Sequence, residues 1–209
     1  MGKRRQDTVY SKLRSKIRRR DAVLSVIGLG YVGLPLAVEM AKAGLKVFGI
    51  DVNAAKVDSV NKGISYVQDV ATKDLKSVVK SGRLVATTDF GVLEDSDAID
   101  ICVPTPLRKT KDPDISHIID AVEHIGTHLR KGQVIILEST TYPGTTEEVI
   151  LSRLNQTGLT VGKDFYLAFS PERVDPGNRI YTTRTIPKVV GGITEHCTSI
   201  ASELYRLSI

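Results

Sequence analysis

The apolar run Val23–Ile27 ends in Gly28-Leu29-Gly30-Tyr31-Val32-Gly33, and a helix-forming stretch of small and apolar residues follows over 34–43 until Gly44. Few local patterns constrain a fold as tightly. A buried strand must pass at once into a helix. The first glycine makes a tight turn, the second leaves the backbone open to a ligand, and the third lets helix and strand pack closely. The amides and positive dipole end of such a helix suit a diphosphate. Residues 45–50 read as the next strand, and Asp51 ends it, 18 residues after Gly33. A carboxylate there accepts hydrogen bonds from a ribose 2′-hydroxyl and repels a 2′-phosphate, which points to NAD over NADP as the cofactor.

The rest of the chain repeats this alternation. Asn53 is placed to cap a helix running to about Asn61, and helices are expected over 70–80, 115–129, 146–154 and, at the end, 195–207. In the second of these Ile115, Ile118, Ile119, Val122, Ile125 and Leu129 keep 3.6-residue spacing. Short apolar runs at 84–86, 98–103, 134–137, 165–169 and 188–190 read as strands. Thr145 or Thr146 ahead of Glu148 reads as helix-capping chemistry. The fold class is therefore α/β, a Rossmann-like doubly wound parallel sheet covered on both faces. With 209 residues, 41% hydrophobic and 25% charged, the chain has length for one large domain with an appendage. The expected division is an N-terminal basic arm or helix over 1–20, a dinucleotide-binding domain over 21–193, and the start of a connecting helix, truncated, over 194–209. The polar loop 104–114, with three prolines, is long enough to suggest function or mobility.

The net charge of +5 is misleading. Nine of the 29 Lys and Arg fall within the first 20 residues against one of the 24 acids, so the remainder is negative by three. Without interleaved aromatics the arm reads as a solvated helix docked through Val9, Leu13 and Ile17, and against a nucleic-acid contact. No apolar run is long enough to span a membrane, and no apolar segment follows the basic start as a secretory signal requires. Cys102 and Cys197 stand far apart without metal or disulfide spacing, which fits a reducing, cytoplasmic setting.

Polar residues collect at the predicted strand ends: 28–33, Asp51, Pro104-Thr105-Pro106, Glu138-Ser139-Thr140 and Ser170-Pro171-Glu172. In a doubly wound sheet these ends form one edge, where ligands bind. Taken in order, 28–35 (GLGYVGLP), Val103-Pro104-Thr105-Pro106, Glu138-Ser139-Thr140-Thr141 and Ser170-Pro171-Glu172-Arg173 resemble the NAD-binding domain of the UDP-glucose/GDP-mannose dehydrogenase family. The resemblance runs from about Arg18 onward. Residues 170–178 (SPERVDPGN) and 186–192 (IPKVVGG) look most like the UDP-N-acetylglucosamine 6-dehydrogenase branch. The UDP-glucose branch usually reads PEFLxEG, where this chain has Arg173 and Pro176.

The resemblance implies oxidation of the C6 alcohol of a UDP-sugar to a carboxylate with two NAD, through a cysteine-bound thiohemiacetal and a thioester. It implies Glu172 as the acid/base at the hydrolytic water and Thr140 as its helper. Gly28, Gly30, Tyr31, Val32, Gly33, Asp51, Lys56, Pro104, Thr105, Ser139 and Thr140 fall to the cofactor. Among them Asp51 and Lys56 take the adenosine ribose, and Thr105 and Thr140 the nicotinamide side. Glu172, Arg173 and Val174 fall to the substrate. The family's nucleophilic cysteine lies in a C-terminal half with a GxCFPKD-like motif that this sequence lacks, as it lacks the family's central-helix Lys and Asn. The C-terminal half of the family fold is thus expected as a missing partner, with a homo-oligomer at full length.

Two readings stay open: a dehydrogenase whose catalytic half is missing, and a stand-alone dinucleotide-binding module without turnover. A 3-hydroxyacid dehydrogenase is a weaker rival, because it has no reason to carry SPERVDPGN. Cys102 and Cys197 read as core packing. His117, His124 and His128 fall on the helix face opposite the apolar stripe and read as a solvated face, with no third metal ligand. Ser139 lacks the G-x-S-x-G elbow of a hydrolase.

Overall fold

The computed structural model describes residues 8–109, 112–172 and 187–208. Helix α1 (Val9–Arg19) leads into strand β1 (Val23–Ile27), helix α2 (Gly33–Lys42), β2 (Lys46–Ile50), α3 (Ala54–Asn61), α4 (Thr72–Lys80), β3 (Leu84–Thr87), a 3₁₀ turn (Phe90–Asp95) and β4 (Ala98–Ile101). The second half continues with α5 (Ser116–His128), β5 (Val134–Leu137), a π-helical turn (Thr145–Leu151) running into α6 (Ser152–Leu154), β6 (Tyr166–Phe169), β7 (Gly191–Gly192) and α7 (Glu195–Tyr205). The sheet order is β3-β2-β1-β4-β5-β6-β7, parallel throughout except for the β6–β7 pair. Strand order reverses between β1 and β4, which opens a crevice beyond their carboxyl ends.

Side chains alternate between two apolar layers. Leu24, Val26, Ile136 and Ala168 face a core shared with α2, α4 and α7. Ile27, Ile101, Leu137 and Leu167 face a second core filled from α5 and α6. Every residue of β4 and β5 is buried, as double coverage requires.

The seventh strand differs from expectation. It lies at Gly191–Gly192 rather than 188–190, and it runs antiparallel, pairing Ala168 with Gly192 and Phe169 with Gly191. Close approach to α7 accounts for its place: a Cβ on Gly192 would lie 2.4 Å from the Thr198 amide nitrogen. No capping box forms at Thr145 or Thr146. Gly144, at φ 91°, opens a π-helical turn instead, and the Thr145 hydroxyl turns back to the Tyr142 carbonyl at 2.9 Å. The polar loop folds on itself, through a Leu107–Pro113 bridge and an Arg108–Asp114 ion pair of 3.0 Å.

Helix α1 lies on the body. Thr8 caps it by accepting the Ser11 amide, Leu13 and Ile17 are buried, and Val9 packs at the edge of the same core. Arg14 and Arg18 pair with Glu203 of α7, and Lys16 reaches Asp97 at 2.8 Å. The Tyr10 ring stacks on His196, and its hydroxyl lies 3.1 Å from Ser199 Oγ. The basic residues 3–5 lie outside the described residues. The Arg18 end of its pair is exposed and contributes little, and the buried Leu13 and Ile17 side chains supply the apolar part of the docking. Ile17→Ala is expected to lower unfolding free energy by about 2–4 kcal/mol, whereas Arg18→Ala is expected to cost less than about 1 kcal/mol. Urea melts of the two variants check this ranking.

Candidate functional site

Gly28 closes β1 at φ 95°, and its amide donates to the Ile50 carbonyl at 2.7 Å. A side chain cannot fit at the next turn either: a Cβ on Gly33 would stand 1.9 Å from the Gly28 carbonyl oxygen. Gly30 is the opposite case: none of the described residues comes within 4 Å of where its Cβ would be. Among the described residues no side chain caps the start of α2. The loop thus presents bare backbone toward a cleft of about 250 Å³.

That cleft is lined by Gly28, Gly30, Tyr31, Val32, Asp51, Lys56, Cys102, Val103, Pro104, Thr105, Glu138, Ser139, Thr140 and Glu172. Eleven of the sequence-assigned site residues therefore meet in one place, delivered by the ends of five strands and, for Lys56, by the first turn of α3. Gly33 sits behind the loop as a packing position. Arg173 and Val174 lie outside the described residues.

Asp51 is 7% exposed, and the protein already holds its carboxylate. Oδ2 accepts the Leu29 amide at 2.9 Å and the Lys56 ammonium at 3.2 Å, and Oδ1 accepts the Asn53 amide at 3.0 Å. The carboxylate is oriented before any ligand arrives. On its far side the cleft continues into a second hollow of about 290 Å³. This hollow shares Gly28, Asp51, Lys56, Val103 and Pro104 and adds Val52, Asn53, Phe90, His117 and Asp120 among its walls. The walls mix apolar and polar side chains, and Asp51 stands at the junction of the two hollows.

His117 is therefore a wall of this hollow. The other two helix histidines are half-buried: His124 stacks on Phe90 at 3.9 Å, and His128 meets Glu94 at 3.0 Å. The expected solvated face holds at His117, which is exposed, whereas the Phe90–Asp95 turn half-covers His124 and His128, which the helical periodicity of α5 alone does not reveal.

Beneath the opposite end lies a charged cluster that sequence reasoning missed. The Glu138 carboxylate, 1% exposed, pairs with the Lys188 ammonium and accepts the Cys102 thiol at 3.6 Å. Asp100 is fully buried and accepts the Tyr205 hydroxyl at 3.2 Å on Oδ1, while Oδ2 has no partner among the described residues. Burial, reinforced by the Glu138 charge, pushes the Asp100 carboxyl well above its usual range. Burial likewise raises the Cys102 thiol, with Glu138 adding to it. Burial works against the Lys188 charge, but Glu138 outweighs it and holds the ammonium above its ordinary value. Cys102 is buried, as expected of packing, yet it also forms part of the cleft floor. Cys197 is buried against β6, its sulfur accepting the Leu167 amide at 3.4 Å and the Thr194 hydroxyl at 3.2 Å. A period-2 signal could have placed Asp100 inward, since Ala98 and Cys102 flank it on the same face.

Residues 22–209 match the UDP-glucose/GDP-mannose dehydrogenase family, NAD binding domain. The chain belongs to this family. It is the NAD-binding domain of the family fold, and the glycine cradle and the Asp51 carboxylate fit that cofactor. The chain is 37% identical over 188 residues to UDP-N-acetyl-D-glucosamine 6-dehydrogenase of Pseudomonas aeruginosa, covering 90% of this chain and 44% of that protein. It is 36% identical over 184 residues to UDP-N-acetyl-D-mannosamine dehydrogenase of Pyrococcus horikoshii, covering 88% and 44%. Among solved structures it resembles NDP-N-acetyl-D-galactosaminuronic acid dehydrogenase from Methanosarcina mazei Go1, with a TM-score of 0.86 and 35% identity over 97% of this chain and 45% of that one. The chain spans less than half the length of these family members.

Two outcomes follow from the electrostatics. Wild-type chain is expected to bind NAD⁺ more tightly than NADP⁺. Asp51→Ala is expected to weaken NAD⁺ by about ten- to a hundredfold, the value of hydrogen bonds to a charged group. NADP⁺ should then lose nothing, because the repulsion goes and Lys56 remains. Calorimetric titration of both cofactors checks this. For Asp100, the native state keeps a proton that the unfolded chain releases near pH 4. Its contribution to stability therefore declines as pH rises from there toward the raised native value. Asp100→Asn, which cannot ionise, is expected to flatten that decline and to be at least as stable as wild type at pH 8, as urea melts at pH 4 and pH 8 will show.

Proposed function

We propose that this chain supplies the cofactor-binding half of an NAD-dependent nucleotide-sugar 6-dehydrogenase acting on UDP-N-acetylglucosamine. The observation that carries the reading is the single cleft in which Glu172 and Thr140 share walls with the glycine loop and the Asp51–Lys56 pair. Bound NAD supplies a hydride acceptor for the C6 carbon of the sugar. Asp51 and Lys56 hold the adenosine ribose, and the Gly30 backbone faces the diphosphate. Pro104, Thr105, Ser139 and Thr140 frame the nicotinamide end. Glu172 takes a proton from the water that hydrolyses the enzyme thioester, Thr140 positions that water, and Arg173 and Val174 contact the sugar nucleotide.

The preference for the N-acetylglucosamine sugar is supported by residues 170–178 and by the Pseudomonas aeruginosa relative. The nucleophilic thiol belongs to a C-terminal half, a reading supported by the burial of both cysteines here. In this proposal residues 1–20 form the docked arm, 21–193 the cofactor domain and 194–209 the start of the connecting helix. The complete enzyme is a cytoplasmic homo-oligomer, and the chain alone completes no oxidation.

The test uses the chain alone and the enzyme that carries both halves. The chain alone should form no NADH with UDP-N-acetylglucosamine. In the complete enzyme, Glu172→Gln should give an early burst of NADH followed by a depressed steady state, because the thioester forms but is released slowly. Wild-type steady-state rates in that variant would leave Glu172 as a surface carboxylate. Faster turnover of UDP-N-acetylmannosamine than of the glucosamine sugar would reassign the substrate.

A further inference from the structure

Tyr66 stands outside both hollows yet touches the glycine loop. Its hydroxyl donates to the Leu29 carbonyl at 2.7 Å. The tyrosine is held from its own side by a turn in which the Val67 amide donates to Ser65 Oγ at 3.2 Å, while Val67 packs on the core. Burial, with the Asp51 charge adding to it, raises the phenol above its ordinary value, so it remains a donor.

The planarity of the peptide bond gives this contact its meaning. In a trans peptide the carbonyl of one residue and the amide of the next point in opposite directions. Asp51 fixes the first peptide of the loop by accepting the Leu29 N–H. The Gly28 carbonyl is thereby turned toward the start of α2, where Gly33 must lack a Cβ. Tyr66 fixes the second peptide by drawing the Leu29 carbonyl away from the cleft, which aims the Gly30 N–H to the opposite side. Gly30 lines the cleft, and its N–H finds no protein acceptor among the described residues. The Leu29 side chain is itself locked: it is fully buried, and it occupies space over Gly49 that a Cβ there would meet at 2.8 Å. With side chain and amide pinned, rotation of the Leu29–Gly30 peptide is the freedom left, and a glycine on one side makes that rotation easy.

We infer that Tyr66 is a positioning residue for cofactor binding, holding the Leu29–Gly30 peptide so that the Gly30 N–H faces the diphosphate. The inference rests on the assignment of NAD to this cleft. Without the hydroxyl the peptide can turn its carbonyl toward the diphosphate, an acceptor facing an anion.

The test compares wild type with Tyr66→Phe in the ¹⁵N-labelled chain, using NAD⁺, ADP-ribose and adenosine as ligands. Tyr66→Phe is expected to bind NAD⁺ and ADP-ribose about tenfold more weakly, the effect of one well-placed hydrogen bond. Adenosine, which has no diphosphate, should bind both proteins within about twofold. Tyr66 is 40% exposed, so the variant should fold and melt within about 4 °C of wild type. In the free protein the Gly30 amide resonance should shift in Tyr66→Phe. Unchanged ADP-ribose affinity, an equal loss for adenosine, or an unmoved Gly30 amide would each overturn the assignment. Failure of the wild-type chain to bind NAD⁺ would overturn the cofactor reading and with it the purpose assigned to Tyr66, while the amide resonance would still report whether Tyr66 holds the Leu29–Gly30 peptide.

Discussion

The whole cofactor edge depends on one contact between two backbones. The Gly28 carbonyl and the Cα of Gly33 approach so closely that no side chain fits between them. This contact sets the angle at which α2 leaves β1. That angle seats Leu34, Leu36 and Ala37 in one core layer and brings the loop beside the end of β4. The next strand end is held by the same geometry: a Cβ on Gly28 would strike the Cys102 carbonyl at 2.7 Å. The switch point between β1 and β4 is thus a steric consequence of two residues without side chains, and the crevice follows from it.

Beneath the other end of the crevice the protein accepts a cost. Asp100, Glu138 and Lys188 lie in an otherwise apolar layer with Tyr205 and Cys102. A buried ion pair of this kind is weak evidence for stability, since desolvation offsets much of the attraction. What it does provide is direction. Lys188 can satisfy Glu138 only if the residues before β7 lie close under the end of β5. The Tyr205 hydroxyl likewise bonds Asp100 only in one placement of α7. An apolar cluster would tolerate sliding that these bonds do not.

The strand–helix alternation was legible because each strand is short, apolar and bounded by glycine or a polar residue, and because α5 shows its stripe openly. The glycine loop and Asp51 were legible because their chemistry is carried by local spacing. The seventh strand was not, because Lys188, Val189 and Val190 carry strand propensity while pairing is decided by the closeness of Gly192 to α7. The covering of His124 and His128 was hidden for the same reason: a 3.6-residue period locates a helix face but not the turn that lies on it. The charged cluster depends on residues 100, 138, 188 and 205 meeting in space, which no local window contains. Tyr66 gave no signal at all, since its partner is a backbone carbonyl 37 residues away.

The triple hold on Asp51 has a further consequence for recognition. A carboxylate offers about four acceptor positions, and three protein donors already point at this one. Little capacity is left for a guest, and it is directed. A sugar that presents its hydroxyl at that spot needs no rearrangement of its host, whereas one displaced by an ångström finds the remaining lone pairs facing elsewhere. Two of the three donors are backbone amides and cannot withdraw. Lys56, carried on a flexible stem, is the one that can step aside, so under the proposed placement of the ribose at Asp51 any tolerance toward a differently substituted sugar resides in the side chain of a single lysine.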